Sequence, residues 1–367
     1  MKLFRRLEVG VNPEFEVGRF LTQHRQFVHS PPVLGALEYY RRGRPDTLMT
    51  LAVLQGYVPH QEDAWHYTLG ALEAYFDRAL ATQDQVTEVA LSTPALLDLA
   101  KRTVPPLARQ LIGPYQQFAQ LLGQRTAELH RALASEPEDA DFALEPFSFL
   151  YQRSLYQSMR SLTVRVYWRL GEVLPHLPGP VRAEAEELLA RQDEILQRFQ
   201  AVLGRPISGL RMRCHGDYHL RQVLCTGKDV VLIDFEGEPA RLLGERQLKR
   251  CPLLDVAGML RSFHYAAYAV FFERVAPQET ASGADPALLE PWARFWCGWV
   301  SAIFLKTYLK QTAEMPFLPQ TRAELKILCD IHLLEKAIYE LGYELEHRPD
   351  WARLPLRGLL QLLGPAP

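Results

Sequence analysis

The chain has 367 residues, 48% of them hydrophobic, and a formal net charge of −2. That is enough apolar material for a sizeable core in one or two domains, without the basic excess of a nucleic-acid binder or an acidic disordered tail. The opening MKLFRRLEVG has no apolar run after its charges, unlike a secretory signal, and no apolar stretch reaches the about 18 residues of a membrane span.

In chain order, Met1–Arg5 reads as a strand end. Asn12-Pro13 opens a helix, with Asn12 as cap, Pro13 in the first turn and Glu14 and Glu16 at the positive helix end. Phe15, Phe20 and Leu21 supply its apolar face. Strands are expected at Leu34–Tyr40 and Thr47–Gln55, joined by a turn with Gly43 and Pro45. Helical spacing then predicts Asp63–Ala81, Pro94–Arg102, Gly113–Ser135, Arg153–Val173 and Pro180–Val202, with Glu136–Asp141 as a loop. Residues 211–240 change character and read as a β-hairpin with a turn at Thr226-Gly227 and a buried strand Val230–Ile233. Helices resume at Leu253–Phe272, Pro286–Gln311 and Ala323–Glu346, and the Trp292, Trp296, Trp299 stripe reads as core. The five cysteines, Cys214, Cys225, Cys251, Cys297 and Cys329, are odd in number and form no CxxC pair. That pattern fits a reducing, cytoplasmic setting.

The hairpin carries the chemistry. Asp217 and Gln222 have the D-x-x-x-x-N spacing of kinase catalytic loops, with Gln in place of Asn, and Asp234 follows the apolar strand VVLI. Phosphoryl transfer needs a carboxylate to orient the attacking hydroxyl and oxygen donors to hold Mg2+ on the nucleotide phosphates. His215 and His219 are expected to pack and to hydrogen-bond the backbone. A transition-metal reading of His215, Asp217 and His219 is the alternative, but it leaves the later DFE unexplained.

These residues also carry a family resemblance. HGDYHLRQVL and LIDFEGEP resemble the aminoglycoside-phosphotransferase-like kinases, whose signature is HGD-x-H-x-x-N with a later D-F/W-E. The string DFEGEPARLLGERQLKRCPLLDVAGMLRSFHYAA, the opening MKLFRRLEVGVNPEFEVGRFL and the later LEKAIYELGYELEHRPDWARLPLRGL are similar to bacterial maltokinases, including those fused to trehalose synthase. The resemblance implies an α+β, bilobal protein-kinase-like fold. Residues 1–60 would be a partial nucleotide-binding lobe and hinge, and residues 61–367 a large, mainly helical lobe with the catalytic hairpin. It implies ATP- and Mg2+-dependent phosphorylation of maltose to maltose 1-phosphate, with no nucleic-acid or membrane partner. Asp217 would be the base, and Gln222 and Asp234 the Mg2+ ligands. Glu236 would assist at the metal or the sugar. Lys2 would hold nucleotide phosphates, Glu16 would fix that lysine, and Gln55, Gly56, Tyr57 and Val58 would be the adenine hinge. Lys336, Tyr339, Glu340 and Tyr343 share one helix face and are the sugar-site candidates. The competing reading of that face is an exposed surface with an ordinary Lys336–Glu340 ion pair.

The sequence holds no G-x-G phosphate loop, and the family's lobe begins upstream of the strand with the lysine. Three expectations follow: a truncated or misassigned start, a lobe supplied by a separate polypeptide, or a catalytically impaired partner of a trehalose synthase. A small-molecule kinase with another acceptor keeps the mechanism and changes the pocket.

Overall fold

A computed structural model describes residues 1–23, 27–82, 95–275 and 285–364. The amino-terminal part runs β1 (Lys2–Leu3), α1 (Pro13–Gln23), β2 (Val33–Arg41) and β3 (Arg44–Gln55). The Asn12 side-chain oxygen accepts from the Glu14 backbone N–H at 2.9 Å, so α1 starts at the cap its sequence encodes. The three strands form an antiparallel sheet in the order β1-β3-β2. Lys2 lies opposite Val53 and Leu3 opposite Ala52.

The remainder begins with β4 (Glu62–Asp63), α2 (Ala64–Thr82), α3 (Leu96–Leu99), α4 (Pro106–Ile112) and α5 (Tyr115–Leu133). Next come β5 (Glu145–Pro146), α6 (Phe149–Val173), α7 (Gly179–Ala190) and α8 (Gln192–Gln200). The hairpin region holds β6 (Leu210–Arg211), β7 (Val223–Cys225), β8 (Val230–Leu232) and α9 (Leu243–Arg246). The chain closes with α10 (Leu253–Val275), α11 (Pro286–Gln311), α12 (Arg322–His347) and α13 (Arg353–Leu363). β4 adds a third strand to the hairpin in the order β4-β7-β8, which ties the hairpin to the start of α2.

The sequence-based helix assignments differ most in three places. The predicted Pro94–Arg102 helix is a four-residue α3, followed by a separate α4 that begins after Pro105. Pro94 lies outside the described residues. Two successive prolines remove backbone donors and push the residue before them out of the helical region, so the segment divides. The predicted Pro180–Val202 helix is α7 and α8, broken at Arg191, which has φ −107° and ψ 18°. Arg191 is buried and binds Glu194 at 2.7 Å and the Gly364 carbonyl at 2.7 Å. α13 was not expected from periodicity, because Pro355 and Gly358 interrupt it. Burial of Leu354, Leu356, Leu359 and Leu363 holds it in place.

α10 is the central rod and packs against α2, α11, α12 and α13. Trp292, Trp296 and Trp299 are all buried in α11, and full burial of a Phe such as Phe295 contributes about 1.5–3 kcal/mol. Gly258 of α10 lies directly against the Tyr218 backbone carbonyl, with no room for a Cβ. Gly258→Ala is expected to lower stability by about 1–3 kcal/mol and to displace the hairpin loop; a denaturant titration with tryptophan fluorescence checks the first. All five cysteines are free thiols. No helix among the described residues is long and apolar enough to cross a membrane.

Candidate active site

The loop before β7 turns at Gly216, whose φ of +86° suits only glycine without strain. Asp255 of α10 fixes this turn. Its carboxylate accepts from the backbone N–H groups of His215 at 2.8 Å and Gly216 at 2.9 Å. The His215 ring donates from Nε2 to the Ile233 carbonyl at 2.9 Å and packs against Tyr218 and Phe235. Burial pushes its basicity down, which favours the neutral ring. His215 therefore links the two strands' ends and does not point at a shared metal position with Asp217 and His219.

Asp217 faces a cavity of about 500 Å³. Its Oδ1 lies 3.2 Å from Lys336 Nζ, and its Oδ2 3.6 Å from His219 Nε2. Burial alone would raise the Asp217 carboxyl, but the Lys336 charge and His219 hold it well below the usual carboxylate range. Burial would lower Lys336 in turn, and Asp217 and Glu238 keep it raised and charged. Lys336, Tyr339, Glu340 and Tyr343 all line this cavity. The alternative Lys336–Glu340 pair is not formed: Glu340 instead accepts from buried Arg261 at 2.8–2.9 Å. Trp65, Tyr265 and Trp351 add aromatic faces, and Glu238 and Glu344 add carboxylates. Flat aromatic surface beside hydrogen-bonding carboxylates is the chemistry of a polyhydroxylated ligand.

Asp234, on the far strand end, has φ +68° and is the single non-glycine residue with positive φ among the described residues. Aspartate tolerates this region better than most side chains, and such outliers concentrate at functional sites. Gln222 donates to Asp234 Oδ2 at 2.9 Å. Lys2 Nζ lies 2.5 Å from Asp234, 2.6 Å from Glu236 and 3.4 Å from Glu14. Burial would lower the lysine, but the Glu14 and Asp234 charges raise it. Carboxylate oxygens of Glu14, Asp234 and Glu236 come within 4.8 Å of one another. An all-oxygen donor set of this kind suits a hard divalent cation. Lys2 also borders a second cavity, of about 300 Å³, together with Gln55, Gly56, Tyr57 and Val58.

One expected position needs correction, and one expected alternative is narrowed to the metal side. Glu16 does not reach Lys2: it binds Arg213 at 2.6 Å and Gln247 at 3.4 Å. Two residues along a helix rotate a side chain by about 200°, so Glu14 faces Lys2, and Gln55 donates to Glu14 at 2.6 Å. Glu236 does not line the larger cavity; it faces Lys2, and Glu238 lies beside Asp217 instead. Glu238 accepts from the Tyr339 hydroxyl at 2.5 Å. Its only sequence signal was its place in DFEGEP. Arg246 and Lys249 follow DFEGEP in the chain and bind Glu8 at 2.9 Å and the Ala140 carbonyl at 2.6 Å. Glu14→Gln is expected to weaken nucleotide binding about tenfold, by loosening Lys2, while Glu16→Gln leaves it within about twofold; titration with a fluorescent nucleotide separates the two.

No family model matches the sequence. The chain is similar to a glucosamine kinase of Streptacidiphilus jiangxiensis, 27% identical over 250 residues, which is 66% of this chain and 48% of that protein. It is also similar to a glucosamine kinase of Mycolicibacterium smegmatis (strain ATCC 700084 / mc(2)155), 26% identical over 339 residues, 91% of this chain and 67% of that protein. The chain thus spans about half the length of the first of these relatives and two thirds of the second. A solved glucosamine kinase in complex with glucosamine, ADP and inorganic phosphate superposes with a TM-score of 0.67 at 21% identity, covering 96% of this chain and 72% of the other. The chain has the glucosamine kinase fold. Another crystal form of glucosamine kinase gives 0.66 at 23% identity, covering 98% and 73%.

Proposed function

We propose that this chain carries ATP-dependent phosphoryl transfer to a hydroxyl of a sugar. The observation that carries the reading is that one hairpin opens on two cavities: Asp217 faces the larger, aromatic one, and Asp234 meets Lys2, which borders the smaller one. The similarity to glucosamine kinases supports a sugar kinase, and the complex of one of them with ADP supports ATP use. The string resemblance to maltokinases named maltose, so glucosamine and maltose are the two acceptors to compare.

In this reading the acceptor sugar lies against Tyr339, Tyr343 and Trp351, with its reactive hydroxyl at Asp217. Asp217 is ionised, so it orients the hydroxyl and accepts its proton late, as the oxygen–phosphorus bond forms. Lys336 keeps that carboxylate charged. On the opposite side, Lys2 leaves the carboxylates for the nucleotide phosphates, and Gln55–Val58 receive the base. Asp234, with Gln222, Glu14 and Glu236 as further oxygen donors, would hold Mg2+, which supplies charge neutralisation at the phosphates.

The test is ATP consumption by this chain with glucosamine, maltose, glucose and trehalose in turn. Turnover with one sugar supports the reading and names the acceptor. Absence of turnover with all four, together with stable binding to a trehalose synthase, overturns it in favour of a non-catalytic partner.

A further inference from the structure

We infer that Arg221 is a specificity-determining residue: it gives the larger cavity an unpaired positive charge that admits a neutral sugar and turns an amino sugar away. The inference rests on the reading of that cavity as the acceptor site, and it bears on the choice between glucosamine and maltose. Arg221 lies in the turn Leu220–Gln222, just before β7, and lines the same cavity as Asp217. It is exposed, and its guanidinium lies over the Trp65 ring, 4.8 Å from the centroid. Stacking on an aromatic face fixes the plane of a guanidinium and leaves its edge N–H groups free to donate.

The other charges of the cavity are matched within the chain. Lys336 lies 3.2 Å from Asp217 and 3.7 Å from Glu238, which also accepts from Tyr339. His219 stands 3.6 Å from Asp217. Arg261 takes Glu340 at 2.8 Å, and Arg348 takes Glu344 at 2.6 Å. Among the described residues that line the cavity, Arg221 is thus the one cation with no ion pair. One carboxylate oxygen, Glu344 Oε2, has no hydrogen-bond partner, but it is closed off from solvent. Its mate Oε1 accepts from Arg348 and Tyr265, and burial pushes the Glu344 carboxyl up, toward its neutral form. A sugar ammonium entering this cavity therefore meets carboxylates already matched and one unmatched cation. A sugar hydroxyl accepts from the guanidinium edge with no like-charge cost.

The test measures kcat/KM for glucose, maltose and glucosamine near neutral pH, in the unaltered chain and in Arg221→Gln, Arg221→Glu and Glu344→Gln. Glucose and glucosamine differ in one group, so their ratio reports the charge. The unaltered chain is expected to favour glucose by about tenfold or more; Arg221→Gln brings the two within about threefold, and Arg221→Glu inverts the order. Glu344→Gln leaves the ratio in place. Raising the pH until the sugar amine loses its proton should lift glucosamine toward glucose in the unaltered chain and not in Arg221→Gln; titration of His219 acts on both sugars and cancels in the ratio. An arginine that only covers Trp65 would change the melting temperature and leave every ratio alone. A ratio untouched by Arg221→Gln, or a preference for glucosamine that Glu344→Gln removes, overturns the inference. Should Arg221→Glu fail to fold, the glutamine variant still decides. Should no sugar be phosphorylated, the same ratios are read as binding constants by tryptophan fluorescence. The expected order of affinities without turnover removes phosphoryl transfer alone, whereas turnover with equal ratios removes only the role of Arg221.

Discussion

Asp217→Asn is expected to lower kcat by about 10³-fold, within the range for loss of a general base, while the chain stays folded. Asparagine fits the same space and keeps an oxygen toward Lys336, but it cannot take the hydroxyl proton. Asp217 does not line the smaller cavity proposed for the nucleotide, so nucleotide affinity should stay within about twofold. Single-turnover phosphate transfer with the acceptor sugar, alongside nucleotide titration and a thermal melt, measures all three quantities. Activity near that of the unaltered chain would remove Asp217 from the reaction.

Lys336→Met has the second large effect, and its signature is pH dependence. In the unaltered chain the folded-state value of Asp217 lies below its ordinary 3.8. Its stabilising contribution is therefore complete above pH 3.8 and is lost only as the pH falls through the lower folded value. Removing the Lys336 charge takes away the largest influence that opposes burial, so the folded-state value of Asp217 rises. The loss on acidification then sets in at a higher pH than in the unaltered chain. At neutral pH the loss of one partner of a buried pair costs about 3–5 kcal/mol. The acid limb of the kcat/KM profile should move upward into the measurable range. Urea midpoints and rates between pH 4 and 8 check both; a variant whose acid limb stays in place would separate Lys336 from Asp217.

What the sequence made legible was local. The start of α1 is written in Asn12 and Pro13, and the hairpin in an apolar strand and a glycine turn. What stayed hidden depends on residues far apart in the chain. Lys2 and Asp234 are 232 positions apart, and only the phase of α1 decides that Glu14, not Glu16, meets them. Glu238 and Tyr339 are 101 positions apart, so the place of Glu238 beside Asp217 had no local signature. The helical stripe Lys336, Tyr339, Glu340 and Tyr343 was legible as a face; its partner was not, because Arg261 takes Glu340. α13 was masked by its own proline and glycine, and tertiary burial overrode them.

α10 meets the hairpin loop at successive turns of one face. Asp255 binds the loop backbone, Gly258 abuts Tyr218, and the Ser262 hydroxyl accepts from the Leu220 N–H at 3.1 Å. Arg261 and Tyr265 of the same helix reach across to Glu340 and Glu344. This one rod is therefore the common datum for the loop that carries Asp217 and for one wall of the larger cavity. A sequence change there disturbs chemistry and recognition together. Room for diversification lies opposite, at Tyr343 of α12 and at Arg348 and Trp351, where a side chain can be exchanged without moving the loop. Lineages that acquire new acceptors should record it there and leave α10 alone.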